Sequence, residues 1–112
     1  MNRDLNKSYE MIYDERLQIH RPILHVDYDE LDPDVQAEFE LLCQQVCACI
    51  PEQIKCFEIE YLITFDSLKE VEDERLFFAI NEQLNDLSSR ISDLNILFLH
   101  IEGSFVTQSV HS

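Results

Sequence analysis

Glycine is almost missing from this chain, with one residue in 112, beside three prolines and no tryptophan. Phosphate-binding loops and dinucleotide turns need several glycines so that backbone amides can close on a phosphate, and Gly103 alone builds neither. No nucleotide cofactor is expected. Cations are scarce as well: 8 Lys and Arg stand against 23 Asp and Glu, a formal charge of -15. Arg3, Lys7, Arg16, Arg21, Lys55, Lys69, Arg75 and Arg90 are scattered singly, whereas a nucleic-acid binder neutralises phosphates with clustered Lys and Arg. Direct binding to DNA, RNA or an anionic membrane is therefore not expected. No apolar run approaches the roughly 18 residues of a membrane span. Met1 to Leu17 lacks the basic start and apolar middle of a signal peptide, so a cytoplasmic protein is expected. No Gly-x-Ser-x-Gly elbow or local Cys/His signature offers a nucleophile. Among so many acids a close carboxylate pair says little about acid-base work, and the chain is read as a non-enzyme with no catalytic residue.

What is present is an apolar fraction of 46%, ordinary for a folded protein, without repeat, low-complexity tract or Gly/Ser linker. The expectation is one globular domain over residues 9–112 behind a polar, flexible segment of residues 1–8.

The residue pattern predicts a small α/β or α+β domain, a sheet of three to five strands with two main helices in the order strand, helix, strand, helix, strand. Tyr9 to Gln18 shows no dominant period. Leu24, Val26 and Tyr28 alternate with His25 and Asp27, the period of a strand over Ile23–Tyr28. Asp32-Pro33-Asp34 is a helix start, with an acceptor for free amides, a residue with no amide to lose, and negative charge at the positive end of the dipole. Val35, Phe39, Leu42, Val46, Cys49 and Ile50 then make a stripe that Pro51 ends, predicting a helix over Pro33–Cys49. Phe57, Ile59, Tyr61, Ile63 and Phe65 alternate along a predicted strand from Ile54 to Phe65. Ser67-Leu68-Lys69-Glu70 has capping-box form for a helix from Leu68 to Ile91. In the alternative version Arg75–Ile80 is a short strand after a charged loop, Asp66–Glu74, which gives a ferredoxin-like split β-α-β arrangement. Either version keeps a helix over Glu82–Ile91. Leu94–Ile101 reads as a buried strand, Gly103 as a turn, and Ser104–Gln108 as one more short strand.

Four cysteines, Cys43, Cys47, Cys49 and Cys56, invite a zinc or iron–sulfur reading, but three of them lie on one predicted helix, and Cys49 is turned away from Cys43 and Cys47. Buried thiol filler is the better account. His25, Asp27 and His100 carry metal-ligand chemistry, yet nothing in the sequence brings them together. Asp27 to Asp34 resembles a calcium loop only superficially, because Asp32 stands where an EF-hand requires glycine. No metal and no cofactor are expected.

The remaining signal is acidity. One cluster runs from Asp27 through Asp29, Glu30, Asp32 and Asp34 to Glu38 and Glu40, and a second holds Asp66, Glu70, Glu72, Asp73 and Glu74. In a parallel strand-helix order both fall at strand-to-helix junctions on the same rim of the sheet. The sequence thus points to a small acidic, non-enzymatic protein-binding module for a basic protein surface, such as an inhibitor, an immunity protein or a nucleic-acid (DNA) mimic. Its expected contact residues are Asp27, Tyr28, Asp29, Glu30, Asp66, Glu70, Glu72, Asp73 and Glu74, with Tyr61 near the same edge. The alternative is an accessory or chaperone-type subunit that binds through apolar surface and self-associates, its charge serving solubility.

Overall fold

A computed structural model describes residues 8–106 as a β-hairpin followed by two long helices: β1 (Tyr9–Asp14), β2 (Ile19–Leu24), α1 (Pro33–Ser67) and α2 (Glu74–Ile101). The protein is α+β, with helix predominating. The three-to-five-stranded sheet in alternating order and its ferredoxin-like variant both give way to a single antiparallel pair.

That pair runs in register from Tyr9 opposite Leu24 to Asp14 opposite Ile19. Its turn, Glu15 to Gln18, contains no glycine. Asp14 closes it instead: its carbonyl accepts from the Gln18 amide at 2.7 Å and its carboxylate accepts from the Leu17 amide at 2.9 Å. Gln18 takes the left-handed conformation, φ 57°, that a glycine would adopt without strain. Leu17 and Ile19 are buried and join the helical core. The strand expected at Ile23–Tyr28 therefore lies earlier, and Tyr28–Glu30 form a 3₁₀ turn.

α1 starts where the Asp32-Pro33-Asp34 signal places it, but with backbone chemistry alone. The Asp32 carbonyl accepts from the Gln36 amide at 2.8 Å, and its side chain makes no capping bond. The helix continues through Pro51 for 35 residues, about 52 Å. A proline in a helix leaves the carbonyl four residues earlier without its amide. Here the buried stripe on either side, Phe39, Cys43, Val46, Ile50 and Phe57, holds the chain helical across it. Ile54–Phe65, expected as a strand, is the second half of this helix.

Ser67 and Glu70 form no capping box: Ser67 is helical and its hydroxyl donates back to the Thr64 carbonyl at 2.5 Å. Asp73 caps α2, its carboxylate accepting from the amides of Arg75 and Leu76 at 2.7 and 3.4 Å. Arg75–Ile80 is helical, as is Leu94–Ile101, so the third predicted strand is also helix. Ile80, Leu84, Leu87, Ile91, Leu94, Phe98 and Ile101 recur at intervals of four and three and face α1 as an antiparallel neighbour. Ser104 to Val106 belong to a terminal π-helical turn, Glu102–Val106, and not to a strand. Residues 1–7, and Thr107 and Gln108 of the last predicted strand, lie outside the described residues.

The two ends of this helical hairpin are packed differently. At the base, Phe105 of the π turn meets Phe39 edge-on at 5.1 Å and Tyr28 at 5.8 Å, and Tyr9 of β1 packs on Phe39 at 5.3 Å. The contiguous core extends along the helices as far as Phe57 and Leu87. Beyond them only α1 and α2 face one another. The radius of gyration is 18.6 Å, well above the roughly 13 Å of a compact chain of this length.

A candidate protein-binding surface at the hairpin tip

Past Phe57 each helix has one neighbour, and a helix pair can bury only the sides that face each other. On α1 those are Phe57 and, half-buried, Tyr61 and Thr64; on α2 they are Ile80, Leu84 and Leu87. The sequence nevertheless keeps large apolar residues on the remaining sides. Ile59, Leu62, Ile63 and Phe65 on α1, and Leu76, Phe77 and Phe78 on α2, are all about half exposed or more, reaching 63% at Leu62, 67% at Ile63 and 70% at Phe78. With fully exposed side chains of this size presenting roughly 200 Å² each, these residues offer on the order of 800 Å² to solvent, distributed around both helices.

The patch is not flat. On one flank Glu58, Tyr61 and Leu62 of α1 face Ser88 and Ile91 of α2 across a groove of about 370 Å³. Tyr61 and Phe65 are stacked along it, with centroids 6.4 Å apart and rings nearly parallel. At its base Phe57 is covered by the Arg90 guanidinium, 5.6 Å from the ring centroid, which also pairs with Asp86 at 2.8 Å.

The two acidic clusters do not meet. Asp27, Tyr28, Asp29 and Glu30 precede α1, whereas Asp66, Glu70, Glu72, Asp73 and Glu74 surround its far end, a helix length away. The expectation of one shared rim rested on a parallel sheet that the chain does not form. Near the base, Asp27 to Glu30 border a cleft of about 740 Å³ with Leu24, Val26, Ser104 and Phe105. Backbone acceptors shape this turn: the Asp27 carbonyl accepts from the Glu30 amide at 2.9 Å and the Tyr28 carbonyl from the Gln36 side-chain amide at 3.0 Å. At the tip Asp73 is the helix cap, and Asp66 pairs with Lys69 at 2.7 Å, a hydrogen bond that raises the Lys69 ammonium above its ordinary range. Glu70, Glu72 and Glu74 are exposed beside the apolar patch. Of the expected contact residues, the second cluster thus adjoins the patch and the first does not. Sequence reasoning misses the patch itself: Ile59, Ile63 and Phe65 fall on one face of the expected strand, Leu62 on the other, and Leu76, Phe77 and Phe78 within the expected helix or its short-strand alternative.

The other candidates are dispersed. Cys43 and Cys47 are buried, and Cys49 and Cys56 are exposed. Burial, then the neighbouring Cys47 and Glu40, push the Cys43 thiol up to about 12, and burial followed by Glu102 raises Cys47. His25 bonds to Glu10 at 2.7 Å across the hairpin, while His100 lies edge-on to Phe105 at 6.1 Å. Among the described residues no three His, Cys, Asp or Glu side chains converge as metal ligands, and no helix is long and apolar enough to cross a membrane.

No known family, curated protein or solved structure matches the chain.

Proposed function

We propose that this protein is a non-enzymatic protein-binding module that works through the tip of its helical hairpin, as an accessory or chaperone-type subunit. The observation that carries this reading is the apolar belt of Ile59, Leu62, Ile63 and Phe65 with Leu76, Phe77 and Phe78, set where the two helices have no further cover. Exposed apolar surface of this extent is costly in water and is retained where another protein covers it. The acidic reading attaches to the same place: Asp66, Glu70, Glu72, Asp73 and Glu74 flank the belt, so a covering protein gains by presenting Lys or Arg outside an apolar centre.

A photo-crosslinking side chain at Ile63, compared with one at Leu41 near the base, tests this in lysate of the native host. The expected outcome is one dominant crosslinked product at Ile63 that disappears on Leu62→Glu. Equal, diffuse labelling from both positions would contradict it.

A further inference from the structure

We infer that the free edge of β1 accepts a third strand, an extended basic segment of another protein. The edge lies at the base of the molecule, so the inference goes beyond the reading of the tip and does not depend on it.

The ladder shows which backbone groups are engaged. The His25 amide donates to the Ser8 carbonyl at 2.8 Å, so these two residues continue the antiparallel register as a hydrogen-bonded pair. Hydrogen-bonded and non-hydrogen-bonded pairs alternate along such a ladder. Glu10 with Ile23, Ile12 with Arg21 and Asp14 with Ile19 are then bonded, and Tyr9 with Leu24, Met11 with Pro22 and Tyr13 with His20 are not. The amides and carbonyls of Tyr9, Met11 and Tyr13 therefore point away from β2, where no other element pairs with them among the described residues. Pro22 fits this phase, because it stands where the ladder needs no amide.

The two edges of the hairpin are unlike. β2 lies against α1, and Pro22 interrupts its free edge, one of the devices that blunt an exposed strand. β1 is the outer strand, and its sequence, Tyr-Glu-Met-Ile-Tyr-Asp, has no proline, lysine or glycine. A two-stranded hairpin is a marginal sheet, and a third strand strengthens it.

Side chains define the strand that fits. Met11 borders a cleft of about 310 Å³ with Leu42, Val46 and Cys49 of α1, so a residue opposite Met11, on the same face, is apolar. Glu10 and Asp14 alternate with Met11 and belong to the other face, where Glu10 meets His25 at 2.7 Å and Asp14 meets Arg21 at 3.4 Å. A carboxylate has about four acceptor sites, so each can also take a cation from a strand on its other side. The fitting segment thus carries Lys or Arg on one face and apolar residues on the other. The chain's charge of -15 draws such a segment in, main-chain bonds hold it, and the cleft beside Met11 selects it.

NMR-detected amide exchange of the full chain with a capped octapeptide of alternating lysine and valine tests the inference. The expected result is a selective slowing of the Tyr9, Met11 and Tyr13 amides, by at least about tenfold at saturation. The same peptide with both central valines replaced by proline keeps the charge but loses the amides that face β1, and it should slow none of the three. Glu10→Lys should weaken peptide binding about fivefold. Met11→Pro removes an amide that makes no bond to β2, so its circular dichroism should match the parent while peptide binding is lost. No slowing at millimolar peptide, an equal effect of the proline peptide, or unchanged binding by Met11→Pro would each overturn the inference. Slowing of the same three amides by rising protein concentration alone would assign the edge to a second copy and overturn it as well.

Discussion

Cys43 and Cys47 are the buried thiol filler that the sequence leads one to expect, whereas Cys49 and Cys56, expected in the same role, are exposed. Cys43 is the more deeply enclosed of the first pair. It is fully buried beside Cys47 and Glu40, and its thiol is pushed up to about 12, so almost no thiolate exists at neutral pH. Iodoacetamide under native conditions should therefore modify the exposed Cys49 and Cys56 and spare Cys43 and Cys47, which peptide mass spectrometry reads directly; modification of Cys43 at the rate of Cys56 would place it outside the core. Tyr9 gives a pH signature. Burial, with the hydrogen bond its hydroxyl donates to Glu38 and the charge of that carboxylate, moves it from 10.0 to about 12. The folded chain keeps this proton where the unfolded chain loses it. The associated stability is complete below pH 10 and drains away as pH rises toward 12. Tyr9→Phe should make denaturant midpoints fall less steeply across that window than in the parent. The helix caps differ likewise: Asp73 bonds two amides and Asp32 none. Asp73→Ala should cost about 1 kcal/mol and Asp32→Ala clearly less, by denaturant titration.

Among the elements, the hairpin turn and the middle of α1 are the places where local chemistry and fold disagree. Gln18 holds a left-handed backbone that suits glycine, so Gln18→Gly should be neutral or stabilise by up to about 1 kcal/mol. Phe57 closes the contiguous core under Arg90, and Phe57→Ala should cost about 3–5 kcal/mol. The helix start at Pro33 is legible because the Asp32-Pro33-Asp34 triplet acts through local chemistry, and the helix over Glu82–Ile91 because Leu84, Leu87 and Ile91 keep helical spacing in either reading of Arg75–Ile80. Ile54–Phe65 was misread for a physical reason. Its helix carries apolar residues inward, at Phe57 and Tyr61, and outward, at Ile59, Leu62, Ile63 and Phe65, and two apolar faces erase the 3.6-residue period. Leu94–Ile101 repeats the effect, with Leu94, Leu97 and Ile101 buried while Ile96 and Leu99 face solvent. Pro51 added a false stop that packing overrides, and the β-hairpin was hidden by a Glu-Arg-Leu-Gln turn with no glycine or asparagine. The acidic residues themselves were plain in the sequence. Their placement was not, because it depends on whether the connecting segments are strands or a helix of about 52 Å.

Across the whole molecule, the helical hairpin divides into a base packed on the strands and the π turn and a tip formed by two helices alone. Apolar contacts from β1, β2 and the π turn secure the first; two helices alone make the second. Local stability should follow that division, because amides open most easily where few buried contacts hold them. Peptide-resolved hydrogen exchange of the chain, alone and with the protein crosslinked at Ile63, measures it most directly. The expected result is fast exchange over residues 59–80 and slow exchange over residues 39–57 and 87–101 in the chain alone, with only residues 59–80 gaining protection when that protein is added. Uniform slow exchange along both helices in the chain alone, unchanged by that protein, would contradict it.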